Sequence, residues 1–319
     1  MYAMNFDITI GPFRLTTLES VVVTRSVENL ADTATITLPG AVCSYAPELE
    51  TMLGEGDPVC IRLGYDARGQ ELPVEFEGFV SRIGREEGAV KIRCEDGIYR
   101  FRRDLKNAVL ASVSVKELLE HVLRELGGLE LSCDYDFKYD RFAIYETTGF
   151  DVLKKVQEET RANIYLRGTT LHVHPQYAET GRRVICDSAV NIERSDLRYR
   201  EAGKQKLIVA VEGTDAKGRT VKVTRGTPGG DKFTLKLPGV SDRTTLERRA
   251  EEELHIRDYT GYEGSFTGWL VPRIEPADVV ELRDADHEYR TGKYYVVAVE
   301  TTFSAEGGSR KTTIGKKLG

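Results

Sequence analysis

Two stretches far apart in this chain follow one plan. Asp57-Pro58-Val59-Cys60-Ile61-Arg62-Leu63 is matched by Asp278-Val279-Val280-Glu281-Leu282-Arg283-Asp284, and Phe79-Val80-Ser81-Arg82-Ile83 by Tyr295-Val296-Val297-Ala298-Val299. Each is followed by a Glu-Gly turn, Glu87-Gly88 or Glu306-Gly307, and then a last strand-like run. Strand vocabulary is small, so one matching run carries little weight. Three strands with their turns, repeated in order, point to two related β units in one chain.

The first hundred residues bear this out in their alternation. Phe6, Ile8 and Ile10 alternate with Asn5, Asp7 and Thr9, and Ala34, Ile36 and Leu38 alternate with threonines. Val59, Ile61 and Leu63 repeat the pattern, as do Val90, Ile92 and Cys94. Period two gives each strand one buried and one wet face. The turn signals Leu38-Pro39-Gly40, Asp66-Ala67-Arg68-Gly69 and Glu87-Gly88 separate short strands, which predicts a small β-barrel or sandwich over residues 1–105.

Near residue 110 the texture changes. Ser114-Val115-Lys116-Glu117 fits a capping box, and Leu118, Leu119, Val122, Leu123 and Leu126 then recur at helical spacing until Gly127-Gly128 stops them. Thr148-Gly149-Phe150-Asp151 opens a second helix with Phe150, Leu153 and Val156 on one face, and strands follow at Asn163–Leu166 and Leu171–His174. Residues 106–195 are therefore expected to form an α/β module. Residues 196–319 return to β as a second small barrel, interrupted by one helix at about 243–257 that carries Leu246, Ala250 and Leu254. The expected fold is mainly β with an α/β insert: two related small β-barrels flanking an α+β module.

Composition narrows the function classes. A length of 319 residues is compatible with about two domains at ~150 residues each. No run reaches the ~18 apolar residues of a spanning helix, and the N-terminal residues lack the basic and apolar regions of a signal peptide. Forty-five Lys plus Arg against 51 Asp plus Glu give a net charge of −6, which argues against a protein whose main task is gripping nucleic-acid phosphates. Five dispersed cysteines (Cys43, Cys60, Cys94, Cys133, Cys186) form no C-x-x-C pair and read as reduced thiols in a cytosolic folding environment. Cys60 and Cys94 lie in strand-like runs, where a thiol behaves as a small buried hydrophobe.

The search for chemistry returns mostly negatives. There is no G-x-S-x-G, no G-x-x-x-x-G-K-[ST], no H-E-x-x-H and no G-x-G-x-x-G. Arg225-Gly226-Thr227-Pro228-Gly229-Gly230-Asp231-Lys232 has the wrong glycine spacing for a phosphate loop and reads as a hairpin loop. His172 and His174 are the weak metal candidates: two-residue spacing on a strand puts both imidazoles on one face, but no third ligand lies nearby in sequence. Asp134-Tyr135-Asp136-Phe137-Lys138-Tyr139-Asp140 lacks the glycine and closing glutamate of a calcium loop and reads as an exposed strand edge. Tyr99-Arg100-Phe101-Arg102-Arg103 interleaves cations with aromatics, yet one short patch on an acidic protein reads as a solvated strand end. Paired acids of the glycosidase kind are unavoidable among 51 carboxylates, and none stands out. The expectation is a protein that is not an enzyme, with no catalytic residues, no cofactor and no specific nucleic-acid binding.

Repeated β units without an active site suit an adaptor, since two like units per chain and a threefold axis make six. The residues also carry a resemblance. Val22-Val23-Thr24-Arg25-Ser26-Val27-Glu28-Asn29-Leu30-Ala31-Asp32-Thr33-Ala34-Thr35-Ile36-Thr37-Leu38-Pro39-Gly40, Gly56-Asp57-Pro58-Val59 with Glu77-Gly78-Phe79-Val80, Phe150-Asp151-Val152-Leu153 leading to Ile164-Tyr165, and Gly292-Lys293-Tyr294-Tyr295-Val296-Val297-Ala298-Val299 ahead of Gly307-Gly308 follow in a specific order. In that order the chain resembles the baseplate hub proteins of contractile-tailed phages, the late control gene D family, and the hub part of type VI secretion spike proteins.

The resemblance implies tail-tube-like barrels arranged as a homotrimeric ring, in a phage tail, a prophage remnant or a related contractile injection system. The ring would join the hexameric tail tube to a separate trimeric spike and touch other baseplate proteins, without inserting into a membrane itself. Its place would be the virion tail baseplate, assembled in the bacterial host cytoplasm. No repetitive β-helix follows Gly319, so the spike is expected to be another polypeptide, and no lysozyme-like segment is present. Such a hub works through interface area, expected above ~2,000 Å² per interface with an apolar centre. The acidic balance predicts an acidic channel wall. The alternative is a β-rich carbohydrate- or receptor-binding tail module, which would display Tyr135, Phe137 and Tyr139 as exposed aromatics beside acids.

Overall fold

The computed structural model describes residues 4–39, 52–65, 71–86, 88–177, 181–203, 206–215, 218–284, 286 and 291–318. Cys43, Gly40, the Asp66–Gly69 turn and Glu87 lie outside the described residues.

The alternating N-terminal runs form strands β1 (Met4–Ile10), β2 (Phe13–Arg14), β3 (Ser20–Ser26), β4 (Thr33–Leu38), β5 (Pro58–Tyr65), β6 (Val74–Glu86) and β7 (Ala89–Glu95). Their buried positions keep the period of two: Ile8 and Ile10, Val21 and Val23, Ala34, Ile36 and Leu38, and Val90, Ile92 and Cys94 all turn to one core. A 3-10 turn at Gly97–Arg102, capped by Asp96, leads out of this unit.

Next come β8 (Ala108–Ser114), α1 (Val115–Leu126), β9 (Glu130–Cys133), β10 (Lys138–Ile144), α2 (Gly149–Thr160), β11 (Asn163–Arg167) and β12 (Thr170–His174). Both capping boxes form as the spacing predicts. The Ser114 hydroxyl accepts from the Glu117 amide at 3.2 Å while the Glu117 carboxylate accepts from the Ser114 amide at 2.8 Å. Thr148 and Asp151 repeat the exchange at 3.1 and 3.2 Å. Each box satisfies two amides that a helix start would otherwise leave without partners.

The remainder holds β13 (Arg183–Asp187), β14 (Arg194–Ser195), β15 (Arg198–Arg200), β16 (Leu207–Thr214), β17 (Thr220–Gly226), β18 (Asp231–Pro238), α3 (Arg243–Arg257), β19 (Gly261–Gly268), β20 (Val279–Arg283), β21 (Gly292–Ser304) and β22 (Gly307–Leu318). The predicted helix at 243–257 is α3, capped by Asp242.

Hydrogen bonding draws the sheets differently from two separate barrels. One 14-stranded sheet runs through both ends of the chain in the order β14-β19-β22-β21-β3-β4-β7-β6-β5-β1-β2, with β13, β15 and β20 off that path, and among the described residues no sheet closes on itself. The seam between the N-terminal and C-terminal strands is the antiparallel pair β3–β21, from Ser20↔Ser304 to Ser26↔Ala298. Strands that sit at the two extremes of the chain thus lie side by side.

The rest packs elsewhere. β16, β17 and β18 form a separate sheet, and with α3 they share one apolar core with α1, α2 and β8–β12: Val209, Leu237, Leu246 and Ala250 pack in the same cluster as Leu118, Leu119, Leu153 and Ile164. The 225–232 segment is not a hairpin loop. β17 pairs antiparallel and β18 parallel with β16, so the loop crosses the end of β16. Its glycines are there for that close approach: a Cβ at Gly226 would meet the Leu207 carbonyl oxygen at 2.2 Å, and one at Gly230 would meet that of Lys206 at 2.3 Å.

Candidate functional site

The residues singled out for chemistry serve the fold. His172 and His174 share a face of β12 as their spacing predicts, with Nδ1 of His172 3.3 Å from Nε2 of His174. His174 is tied through Nδ1 to Asp134 at 2.5 Å, and His172 stacks flat on Tyr165 with ring centroids 5.1 Å apart. Among the described residues no three His, Cys, Asp or Glu side chains converge as a metal site would require.

The cation–aromatic stretch at 99–103 is also spent internally. Phe101 is fully buried, Tyr99 stacks on Phe79, and Arg102 holds Glu95 with two bonds of 2.8 and 2.9 Å while lying over Phe150.

The aromatics at 135–139 are not an exposed edge. Phe137 and Tyr139 are 3% and 1% exposed, and Tyr135, Phe137, Tyr139 and Phe142 form a chain of ring contacts inside the core of the middle module. Tyr135 donates its hydroxyl to the Thr160 carbonyl at 2.6 Å. A glycan platform needs such rings at the surface, and α2 and α3 cover them.

What the structure does assemble is a duplicated strand unit, alike down to individual hydrogen bonds. The Asp57 carbonyl accepts from the Val80 amide at 2.9 Å, and the Asp278 carbonyl accepts from the Val296 amide at 2.9 Å. One residue earlier, the Gly56 amide donates to the Val80 carbonyl at 2.8 Å and the Ala277 amide to that of Val296 at 2.9 Å. The acid of each turn folds back on its own loop: Oδ2 of Asp57 accepts from the Gly54 amide, and Oδ2 of Asp278 from the Glu275 amide, both at 2.9 Å. Gly56 and Ala277 both take a positive φ, 91° and 69°. Glycine takes it freely and alanine at a cost, so the turn itself imposes it.

The registers match as well. The β6–β7 pairing slips between Val80 and Arg82, and the β21–β22 pairing slips at the matching place between Val296 and Ala298, with a further slip of its own between Tyr294 and Val296. Ala34↔Cys94, Thr35↔Arg93 and Ile36↔Ile92 correspond to Gly264↔Ile314, Ser265↔Thr313 and Phe266↔Thr312. On the next strand the Glu19 amide donates to the Thr37 carbonyl at 3.0 Å, and the Glu193 amide to that of Thr267 at 2.8 Å. A bulge re-aims a strand, and both units carry one at this place beside the same turn.

The seam between the units is ionic and buried. Arg310 of β22 meets Glu75 of β6 at 2.7 Å, both side chains 3% exposed, and Thr301 donates its hydroxyl to Glu75 at 2.7 Å. Arg310 also reaches the Leu270 carbonyl at 2.5 Å, and Leu270 and Phe303 of the C-terminal unit complete the apolar core of the N-terminal unit. On the other side of the seam Arg25 binds Asp32 at 3.0 Å and Glu275 at 3.4 Å. Burial opposes ionisation of Glu275, but Arg25, Arg273 and Arg182 hold its carboxyl below the usual range. Burial, and then the neighbouring Asp32, push the Asp96 carboxyl well above that range, and burial likewise raises Asp32. Sequence reasoning missed these residues. The one signal was phase: Arg310 falls in the inward, apolar phase of β22, in line with Thr312 and Ile314.

The opposite face of the large sheet is polar. Reading across strands, Glu95, Thr33, Thr24, Glu300, Lys311 and Thr267 form one row. Arg93, Thr35, Val22, Thr302 and Ser309 form the next. Hydroxyls dominate and both signs of charge occur on this surface.

No protein-family model and no curated protein matches the chain. Solved structures do match in fold. A tail protein from Neisseria meningitidis is 13% identical with a TM-score of 0.69 over 99% of this chain and 97% of that one. The 43 kDa tail protein of prophage MuSo2 from Shewanella oneidensis is 13% identical with a TM-score of 0.66 over 98% of both chains. An Escherichia coli protein described as a type VI secretion component, structurally similar to the T4 bacteriophage tail proteins gp27 and gp5, is 10% identical with a TM-score of 0.60 over 98% of this chain and 79% of that one.

Proposed function

We propose that the chain is the structural hub of a contractile tail baseplate or of a phage-derived injection machine. Three copies form a ring in which six like β units face a hexameric tail tube on one side and a trimeric spike on the other. The observation that carries this reading is the duplicated unit: one turn, one bulge and one set of strand registers occur twice within a single sheet. A chain built this way supplies two quasi-equivalent places per copy, which is what reconciling sixfold with threefold symmetry requires. The shared fold with tail proteins supports it over nearly the full length.

In this reading each unit becomes a barrel through its neighbours. The work is done by interface area, with no reaction and no bound cofactor. The hydroxyl-rich face lines the channel, where mixed charges and short polar side chains hold a passing polymer only weakly. The carbohydrate-binding alternative loses its support with the burial of Tyr135, Phe137 and Tyr139.

The test is co-expression with a contractile-tail tube protein and a trimeric spike protein, followed by electron microscopy of the purified particle. The reading requires a ring with threefold symmetry and six lobes, bound to both partners. Binding to neither partner would overturn it.

A further inference from the structure

Three parts of the chain meet around one open cleft of about 650 Å³. β5 and β6 of the N-terminal unit form one wall and the β11–β12 hairpin of the middle module a second, while Arg182, Arg273 and Glu275, beside β13 and β20, close one end. Six consecutive residues of β6, from Val74 to Phe79, line it, a run of about 17 Å at the rise of a strand. Val59, Phe76 and Leu166 supply apolar surface between the charges.

The closed end holds more guanidinium than carboxylate. Glu275 is met by Arg273 at 2.7 Å, Arg25 at 3.4 Å and Arg182 at 3.5 Å, and Arg167 donates to the next carbonyl, that of Pro276, at 2.9 Å. Arg25 also holds Asp32 at 3.0 Å, and Arg182 holds Asp278 at 3.2 Å. Four arginines drawn from three parts of the chain thus share three carboxylates. A guanidinium carries five N–H donors and a carboxylate about four acceptor sites, so donors are left over. The side chains of Arg182 and Arg273 are 56% and 29% exposed against 19% for Glu275, which puts the spare donors nearer solvent than the carboxylate they share.

We propose that this end of the cleft receives one carboxylate of an extended acidic segment from another protein. Arg167, Arg182 and Arg273 bind that carboxylate, and the uncharged residues beside it lie along Val74–Phe79. Guanidinium groups suit the task because they hold carboxylates through paired, charge-assisted bonds. The site needs only one chain and does not depend on the ring.

The rest of the lining selects among anions. Glu75, Glu77 and Asp96 also line the cleft, so a polyphosphate or a nucleic-acid strand filling it would meet like charge. A single carboxylate flanked by uncharged residues meets the arginine end alone. The run along β6 is longer than a small carboxylic acid covers and matches a peptide of about five residues. The arginine end is also fixed in advance. The Asp278 carboxylate accepts from the Arg182 amide and from the Glu275 amide, both at 2.9 Å. Those bonds use the backbone of residue 182, so Arg182→Gln removes the guanidinium and leaves the loop tied.

Isothermal titration calorimetry of the full-length chain tests the site, with the blocked peptide acetyl-Ala-Ala-Glu-Ala-Ala-amide as the probe. Affinity should fall about tenfold or more when glutamine replaces the glutamate of the peptide, a comparison that needs no variant protein. It should fall by a similar factor in Arg182→Gln and in Arg167→Gln, with the circular dichroism of both unchanged. A peptide that fails to bind, or that binds both variants as well as the parent chain, overturns the site. Acetate binding as tightly as the peptide overturns the extended segment as the occupant. Inorganic phosphate displacing the peptide more effectively than acetate at equal ionic strength overturns the choice of carboxylate. The ring reading is decided by the mass of the assembled particle, so the two fail separately.

Discussion

Asp96 accepts the Ile98 amide at 3.1 Å as the cap of the 3-10 turn, yet its carboxyl is buried beside Asp32. Its pKa in the folded protein lies well above the value in the unfolded chain, first through burial and then through Asp32. The folded state therefore binds the proton more tightly. Stability from this group is complete below the ordinary carboxylate range of ~4 and is lost as pH rises through the folded value. Asp96→Asn keeps the capping oxygen and removes the charge. Thermal melts between pH 5 and 8 should show a flatter pH dependence for the variant and no loss of stability at pH 7. A steep loss at pH 7 would contradict the assignment. Glu75 and Arg310 predict the opposite outcome. Removing either partner alone, as in Glu75→Ala or Arg310→Ala, leaves a buried charge without its partner and should cost about 3–5 kcal/mol by urea titration. Replacing both together, as Glu75→Leu with Arg310→Met, should cost much less than the sum of the two single changes.

At the scale of elements, the helices owe their starts to the capping boxes. Ser114→Ala and Thr148→Ala should each lower stability by about 1 kcal/mol, measured by the shift in urea midpoint at constant slope. These boxes were legible in the sequence because both partners lie three residues apart. The strands were legible through their alternation, and the duplication through the repeated order of acid, aromatic and glycine turn. The β3–β21 seam left no such mark: its partners stand at the two ends of the chain, and nothing in Ser20–Ser26 names Ala298–Ser304. The same limit hid the core shared by Leu246, Ala250 and the leucines of α1, since amphipathicity says which face is buried but not against what. It also misdirected the reading of Tyr135–Tyr139, where alternation suggested an exposed strand edge, whereas residues 134–137 precede β10 and the rings lie in the shared core. Of the candidate site, the duplicated turns were visible as Gly56-Asp57 and Ala277-Asp278, whereas the buried charges of the seam were visible only as a phase error in β22.

At the scale of the molecule, strands from the two ends of the chain share one sheet through the β3–β21 seam. In the proposed ring each chain contributes two like units joined by that seam. Because the buried Glu75–Arg310 pair lies within one chain, dissociation of the proposed ring should leave that seam and the folded subunit intact, a separation visible as loss of mass before loss of circular dichroism on dilution. Solution mass by multi-angle light scattering, with the full-length chain mixed with its tube and spike proteins, tests the central claim most directly. The account predicts a stable species containing three copies of this chain. A single copy under every condition would contradict it.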